Sequence, residues 1–347
     1  MSILWKFCMV NKMNKNTFAY KFYIMCALFI IMLILFIFNI LYGPVKIHFK
    51  EIIHILSLQD STMPSYQILA HVRLPRAIAA ILSGMALSTA GVILQALMDN
   101  PLAGPNVIGV NAGAGLSALI IIILFPHYYF ILPLVAFLGA FFTSCIIFII
   151  AYKTGASRIA IILAGVAISS FLSSGINTLT IIFPERVIAA TSYMIGGFSG
   201  VTFEDLRFTI IYLMAAMVIT ILLSSSLNIL SLGDEIALTL GMNVTVYRFI
   251  FIALASLLAG CAVSFSGLLG FVGLIIPHAS RFIIGTDNRY LIPVSALMGA
   301  CFVMVCDLIA RNLFTPFEFP VGVIISFFGG PFFIWLLLKQ KRRGLHD

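Results

Sequence analysis

Residues 100–152 form a run of 53 positions without a single Lys, Arg, Asp or Glu. One bilayer crossing needs about 20 apolar residues, so this run is too long for one pass. Phe125-Pro126-His127 offers a turn near its middle, and the run predicts two spans. Further uncharged runs cover 22–45, 77–98, 159–184, 208–233, 249–280, 290–306 and 319–338. The run 249–280 contains Gly267, Gly270, Gly273 and Pro277, a pattern that predicts one full span followed by a short, broken one. The total is nine or ten helices. A membrane β-barrel is excluded, because barrel strands alternate with period two and these runs are apolar on every face.

Composition agrees. Of 347 residues, 62% are hydrophobic and 9% charged, against about 25% charged in a soluble domain. A soluble enzyme, a disordered chain and a nucleic-acid-binding chain are excluded. The net charge of +8 is then a topology signal rather than a nucleic-acid-binding surface. With ten spans and both termini inside, the inner segments hold 13 Lys and Arg and the outer ones 7. The expectation is an all-α polytopic membrane protein of about ten transmembrane helices, N-in/C-in. Residues 1–21 form a cytoplasmic N-terminal segment, 22–338 the transmembrane domain, and 339–347 a cytoplasmic basic tail. The apolar stretch 22–42 exceeds the ~7–15 residues of a signal-peptide core and lacks a small-x-small cleavage site after it, so it reads as a retained first span. The six Cys lack metal-ligand spacing and read as buried small hydrophobes.

Small residues crowd two stretches, Gly84–Gly91 and Gly109–Ser117. Such residues let helix backbones approach closely in lipid; tight packing and a translocation pathway both fit. Gly84-Met-Ala-Leu-Ser-Thr-Ala-Gly91 faintly echoes Gly260-Cys-Ala-Val-Ser-Phe-Ser-Gly267, which raises an inverted repeat alongside coincidence.

Four loops carry charge or helix breakers. His71-Val-Arg-Leu-Pro-Arg76 opens the second span, and Arg at a helix N-terminus is locally unfavourable. Interfacial snorkelling and docking of an acidic external partner both fit. Asn100-Pro-Leu-Ala-Gly-Pro105 is a rigid turn. Leu232–Gly241 reads as a Gly-Asp turn and a short amphipathic helix closed by Gly241; its apolar face needs lipid headgroups or a soluble protein. Gly270–His278, with Arg281, Asp287 and Arg289, is the fourth. His278 lacks a second metal ligand and reads as making a local hydrogen bond or lying at the surface. Asp307 and Arg311 lie four apart and predict an ion pair on one helix face, which lowers the cost of both in a membrane.

Together these pieces resemble the permease family of type II ABC importers for iron–siderophores, haem and vitamin B12. The resemblance rests on Arg73-Leu-Pro-Arg76, Ser88-x-x-Gly91-x-x-x-Gln95, Asn100-Pro-Leu-Ala103, Gly109-x-x-x-Gly113-Ala114, Leu163-Ala-Gly-Val-Ala167 and Leu232-Gly-x-x-x-Ala-x-x-Leu-Gly241. It continues through Gly270–His278 with Arg281, Asp307 with Arg311, and Pro320-Val-Gly322 with Gly330-Pro-Phe-Phe333. It covers about residues 70–340.

The resemblance implies the type II importer fold in a bacterial cytoplasmic membrane. Two permease subunits, identical or homologous, enclose a pathway. Two ATPase subunits bind ATP and Mg in the cytoplasm, so the chain itself holds no cofactor or metal. An extracytoplasmic binding protein docks from outside. It further implies docking through Arg73, Arg76 and Arg311, and coupling to the ATPase through Leu232, Gly233, Asp234, Glu235, Ala237, Leu240 and Gly241. A cytoplasmic gate is implied at Asn100, Leu102, Ala156 and Ser157, with Ala156 standing where hydroxyl residues can occur in the family. The expected cargo is an iron–siderophore complex or haem, with cobalamin as the alternative.

Two other classes fit less well. An ion-coupled transporter needs intramembrane charge, and Asp307 is the sole acidic candidate in the predicted spans. An intramembrane enzyme needs a constellation that the six His do not form. The chain contains no GxxxxGK[ST] phosphate loop, which excludes ATP hydrolysis by this subunit.

Overall fold

In a computed structural model of the protein, residues 18–45, 64–105, 109–153, 158–313 and 317–343 are described. Those residues form helices joined by short connections: α1 (Phe18–Leu41), α2 (Pro64–Met98), α3 (Val110–Leu124), α4 (Leu132–Lys153), α5 (Arg158–Ile182), α6 (Pro184–Ile195) and α7 (Phe203–Leu222). Then follow α8 (Ser224–Ser231), α9 (Asp234–Thr239), α10 (Val244–Ser266), α11 (Val272–Ile284), α12 (Asn288–Asn312) and α13 (Val321–Arg343). Among the described residues, six helices are long and apolar enough to cross a membrane, and four shorter apolar stretches accompany them. Helices dominate because lipid offers no partner to a backbone N–H or C=O, and a helix satisfies these groups within its own segment.

The run 100–152 contains two helices, α3 and α4, separated by a 3-10 turn at Pro126–Ile131. The run 249–280 divides into the long α10 and the first part of the short α11. The second long helix starts earlier than expected. It begins at Pro64 and passes through a π-helical turn, Leu69–Arg73, before continuing to Met98. Arg73 and Arg76 therefore lie inside a helix, away from the unfavourable N-terminal end.

α2 is the most enclosed helix and packs against α12, α10 and α11. Glycines permit the closest crossings. A Cβ on Gly84 would overlap the backbone carbonyl of Gly299 in α12, and one on Gly91 would overlap the carbonyl of Gly273 in α11. The echo between 84–91 and 260–267 does not mark equivalent positions. Gly91 lies within α2, whereas Gly267, at φ +67°, terminates α10. Pro101 sits in the turn after α2, but Pro277 is inside α11.

Gly91→Ala should force α2 and α11 apart and destabilise the protein by about 1–3 kcal/mol, as overpacking does. Thermal unfolding in detergent checks this, and an unchanged midpoint would contradict it.

Candidate functional site

One end of the bundle holds a buried ionic cluster. Asp307, in the last turns of α12, is fully buried. Arg76 donates to its Oδ1 from Nε at 3.0 Å, and Nη2 of the same arginine is also 3.0 Å from Oδ1. Arg311, one turn on, brings Nη2 to 3.1 Å from Oδ2, the expected i,i+4 pair. Arg311 also donates to Asn39 Oδ1 of α1 at 2.6 Å, and Arg76 Nη1 reaches Glu318 Oε2 at 2.7 Å.

Arg73 is 3% exposed. It donates to the carbonyls of Ile40 at 2.7 Å and Leu41 at 2.8 Å, and to that of Val45. The last carbonyls of a helix have no partner within it, and cations favour that end. Arg73 thus caps α1. The three arginines expected at a docking surface are brought together here, each with an internal partner. Among the described residues of the cluster, Glu318 is the accessible one, with a third of its side chain exposed.

At the opposite end of α2 lies the proline turn. The Asn100 side chain accepts from the Leu102 N–H at 2.9 Å, and its carbonyl accepts from the Ala103 N–H at 3.1 Å. Such an Asx turn makes the turn rigid. Gln95, one turn earlier, donates to the carbonyl of Leu274 in α11 at 3.3 Å and accepts from Arg281. The remaining expected gate positions, Ala156 and Ser157, lie outside the described residues.

The segment 232–241 folds as a turn and the short α9. Gly233, at φ +106°, makes the turn. Two faces result. Ala237 is fully buried, and Asp234 turns toward Arg248 of α10, accepting from Nη2 at 2.6 and 2.9 Å. Leu232, Glu235, Ile236, Leu238, Leu240 and Gly241 are exposed, Leu238 and Leu240 at 61% each. Leu232, Ile236, Leu238 and Leu240 form an exposed apolar surface without a partner among the described residues. Beside it, burial opposes the charge of Asp287, but hydrogen bonds from Arg289 and Asn228 outweigh this and hold its carboxyl below the usual carboxylate range.

The feature that the sequence reading missed is on α5. Ser170, Ser174 and Thr178 recur every fourth residue and are exposed. Each hydroxyl donates to the carbonyl four residues back, at 2.8, 3.0 and 2.8 Å respectively. Ser169, Ser173 and Asn177, one step round the helix, line a cavity of about 850 Å³ with Asn111, Ser326 and Phe327. Among the described residues around it, none is charged. Asn111 Oδ1 and Ser169 Oγ are buried there without a hydrogen-bond partner. The four-residue spacing of paired polar residues, 169/170, 173/174 and 177/178, was the available signal; it is hidden in an average over an apolar helix.

The chain is thus a multi-pass helical bundle with an open, uncharged cavity and an exposed apolar elbow. The sequence matches the FecCD transport family over residues 31–339. The chain is 37% identical over 277 residues to the Fe(3+)-citrate import system permease protein YfmE of Bacillus subtilis, covering 80% of this chain and 83% of that protein. It is 35% identical over 287 residues to the hemin transport system permease protein HmuU of Yersinia pestis, covering 80% and 85%. Its structure superposes on that of a metal-chelate type ABC transporter in an inward-facing conformation with a TM-score of 0.81, at 29% identity, covering 91% of this chain and 99% of the other. The chain belongs to the FecCD transport family. It is a multi-pass permease subunit of an ABC importer, embedded in the bacterial cytoplasmic membrane.

Asp307→Ala would leave two buried guanidinium groups without their shared carboxylate. Removing one partner of a buried ion pair costs about 3–5 kcal/mol. Thermal unfolding in detergent should show a loss of that order, and Asp307→Asn should recover little of it.

Proposed function

We propose that this permease carries iron(III) chelates, iron–siderophore complexes or haem, across the cytoplasmic membrane in an ATP-driven complex. The observation that carries the reading is the hydroxyl-rich face of α5. Hydroxyls on a membrane helix are poorly placed against acyl chains; bonding back to the helix lowers that cost, and a water-filled path removes it. The adjoining cavity, at about 850 Å³, falls within the ~300–1,000 Å³ range of small-molecule sites. Its uncharged lining, mainly apolar with five amide and hydroxyl side chains among it, suits a bulky chelate that must be released again. The iron(III)–citrate and haemin permeases among its relatives favour iron over cobalamin.

The exposed α5 face is where a second permease subunit, a copy or a homologue, completes the pathway. The basic residues concentrate on the side of both termini, 13 against 7, which supports N-in/C-in and a cytoplasmic position for α9. There the exposed leucines of 232–241 meet the ATPase subunits, two per complex. With no phosphate loop in this sequence, ATP and Mg belong to those subunits, and this chain is not an enzyme. The Asn100–Leu102 turn, with Ala156 and Ser157, forms the cytoplasmic gate.

The extracytoplasmic binding protein docks at the ionic cluster. Arg73, Arg76 and Arg311 are engaged internally, so docking proceeds by exchange. A carboxylate of the binding protein takes the edge of Arg76 that Glu318 occupies at rest, while Arg73 and Arg311 hold α1 and α12 in place beneath it.

Radio-iron uptake in a strain lacking this gene tests the cargo, with iron supplied as citrate, as hydroxamate siderophores and as haem, and cobalamin in parallel. Loss of an iron chelate is expected; loss of cobalamin alone would overturn the iron reading. For docking, Glu318→Gln should tighten binding-protein affinity in nanodiscs several-fold, and Arg76→Glu should weaken it. Equal affinities in both variants would refute the exchange.

A further inference from the structure

The elbow α8–α9 is fastened to the bundle at two polar points. The first is Asp234–Arg248. Arg248 lies in the second turn of α10 and is 9% exposed. Its Nη2 spans both oxygens of Asp234, the first residue of α9, at 2.6 and 2.9 Å. The second is Asn228 in α8, whose Nδ2 donates to Asp287 Oδ1 at 2.7 Å and whose Oδ1 accepts from the Asn288 N–H at 2.8 Å. That contact ties α8 to the start of α12. Leu227, Leu230 and Ala237 of the elbow are buried against the bundle, whereas Leu232, Ile236, Leu238 and Leu240 stay exposed.

The far end of α10 is joined to the pathway. Ser266, its last residue, accepts from the Gly197 N–H at 2.8 Å, and the Leu268 N–H donates to the Tyr193 carbonyl at 3.0 Å. Gly267 packs so tightly on the Tyr193 carbonyl that a Cβ would overlap it. Leu268 and Gly270 line the cavity of about 850 Å³. At 1.5 Å per residue, α10 places Arg248 and this junction about 27 Å apart.

We propose that the Asp234–Arg248 pair is the pin through which movement of the docked elbow is delivered to α10, with α10 as the lever that acts on the cavity wall at 266–270. This rests on the reading that 232–241 docks the ATPase. A helix of six residues has little stiffness of its own, so α9 transmits force only as well as it is held. A charged bond with one side chain buried and both carboxylate oxygens engaged resists being pulled open more than an exposed ion pair does. Arg248 and Asp234 are positioning residues; they touch no cargo.

The test uses the whole importer, permease with its ATPase subunits and binding protein, in proteoliposomes. Radio-iron chelate transported per ATP hydrolysed is the readout, because a loss of folded protein lowers both rates and leaves their ratio unmoved. Arg248→Gln and Asp234→Asn should each lower the ratio about tenfold, while the exchange of Asp234→Arg with Arg248→Asp should restore part of it. A wild-type ratio in Arg248→Gln overturns the proposal, and so does an exchange variant no better than the single ones. If Arg248→Gln does not assemble, Arg248→Lys, which keeps the charge on a shorter side chain, should give an intermediate ratio; a wild-type ratio there also overturns it. The underlying docking reading is tested separately by Leu238→Glu with Leu240→Glu. Loss of the ATPase subunits from the complex supports it. Their retention, with normal transport, refutes the docking itself whatever Arg248 does.

Discussion

Asp307 sits between two arginines with no access to water, and much of the bundle is arranged so that this is possible. A carboxylate in a membrane protein is tolerated when opposite charges lie close to it. Arg311 comes from the same helix and costs nothing in architecture. Arg76 comes from α2, and it arrives only because α2 and α12 approach to glycine–backbone contact at Gly84 and Gly299, about two turns away. Arg311 then reaches α1 through Asn39, and Arg73 caps the end of α1. The charge cluster is therefore the point where three long helices are registered against each other.

Part of this was legible in the sequence. The pair Asp307–Arg311 follows from a spacing of four on an apolar helix, and the turn at Asn100 follows from two prolines. What spacing could not give was the company these residues keep. Arg76 and Asp307 are 231 positions apart, and nothing local in either segment points at the other. The π-helical turn at Leu69–Arg73 has no sequence signal comparable to a proline, so the sequence does not reveal that the second long helix begins as early as Pro64. The His278 ring lies edge-on to Phe282 at 4.8 Å, an aromatic contact that its place beside Pro277 does not announce. The hydroxyl stripe on α5 was present in the letters, but window-averaged hydropathy erases a polar face when the other faces are Leu, Ile and Phe.

The two ends of the molecule differ in how they are held. The Asp307 end is dry, ionic and locked through buried side chains. The elbow end presents an exposed apolar surface and is held by two polar fastenings together with the buried Leu227, Leu230 and Ala237. Low local stability is what a moving part requires, and the elbow is where an ATP-driven partner would act. Between the ends, the cavity is walled by the neutral residues of α5 and α13 and by the 268–270 turn. An uncharged wall gives a chelate hydrogen bonds on the way through without holding it as an ionic site would.

Spin labels at Ser173 on α5 and Ser326 on α13, both exposed and both lining the cavity, report on that wall directly. The distance between them should be measured in the assembled importer without nucleotide and again with the ATPase trapped by vanadate. The account predicts a shift of several ångströms between the two states, ~2 Å or more as in helix and domain rearrangements of this kind. An unchanged distance distribution, in a complex shown to be trapped, would contradict an ATP-driven pathway through this cavity.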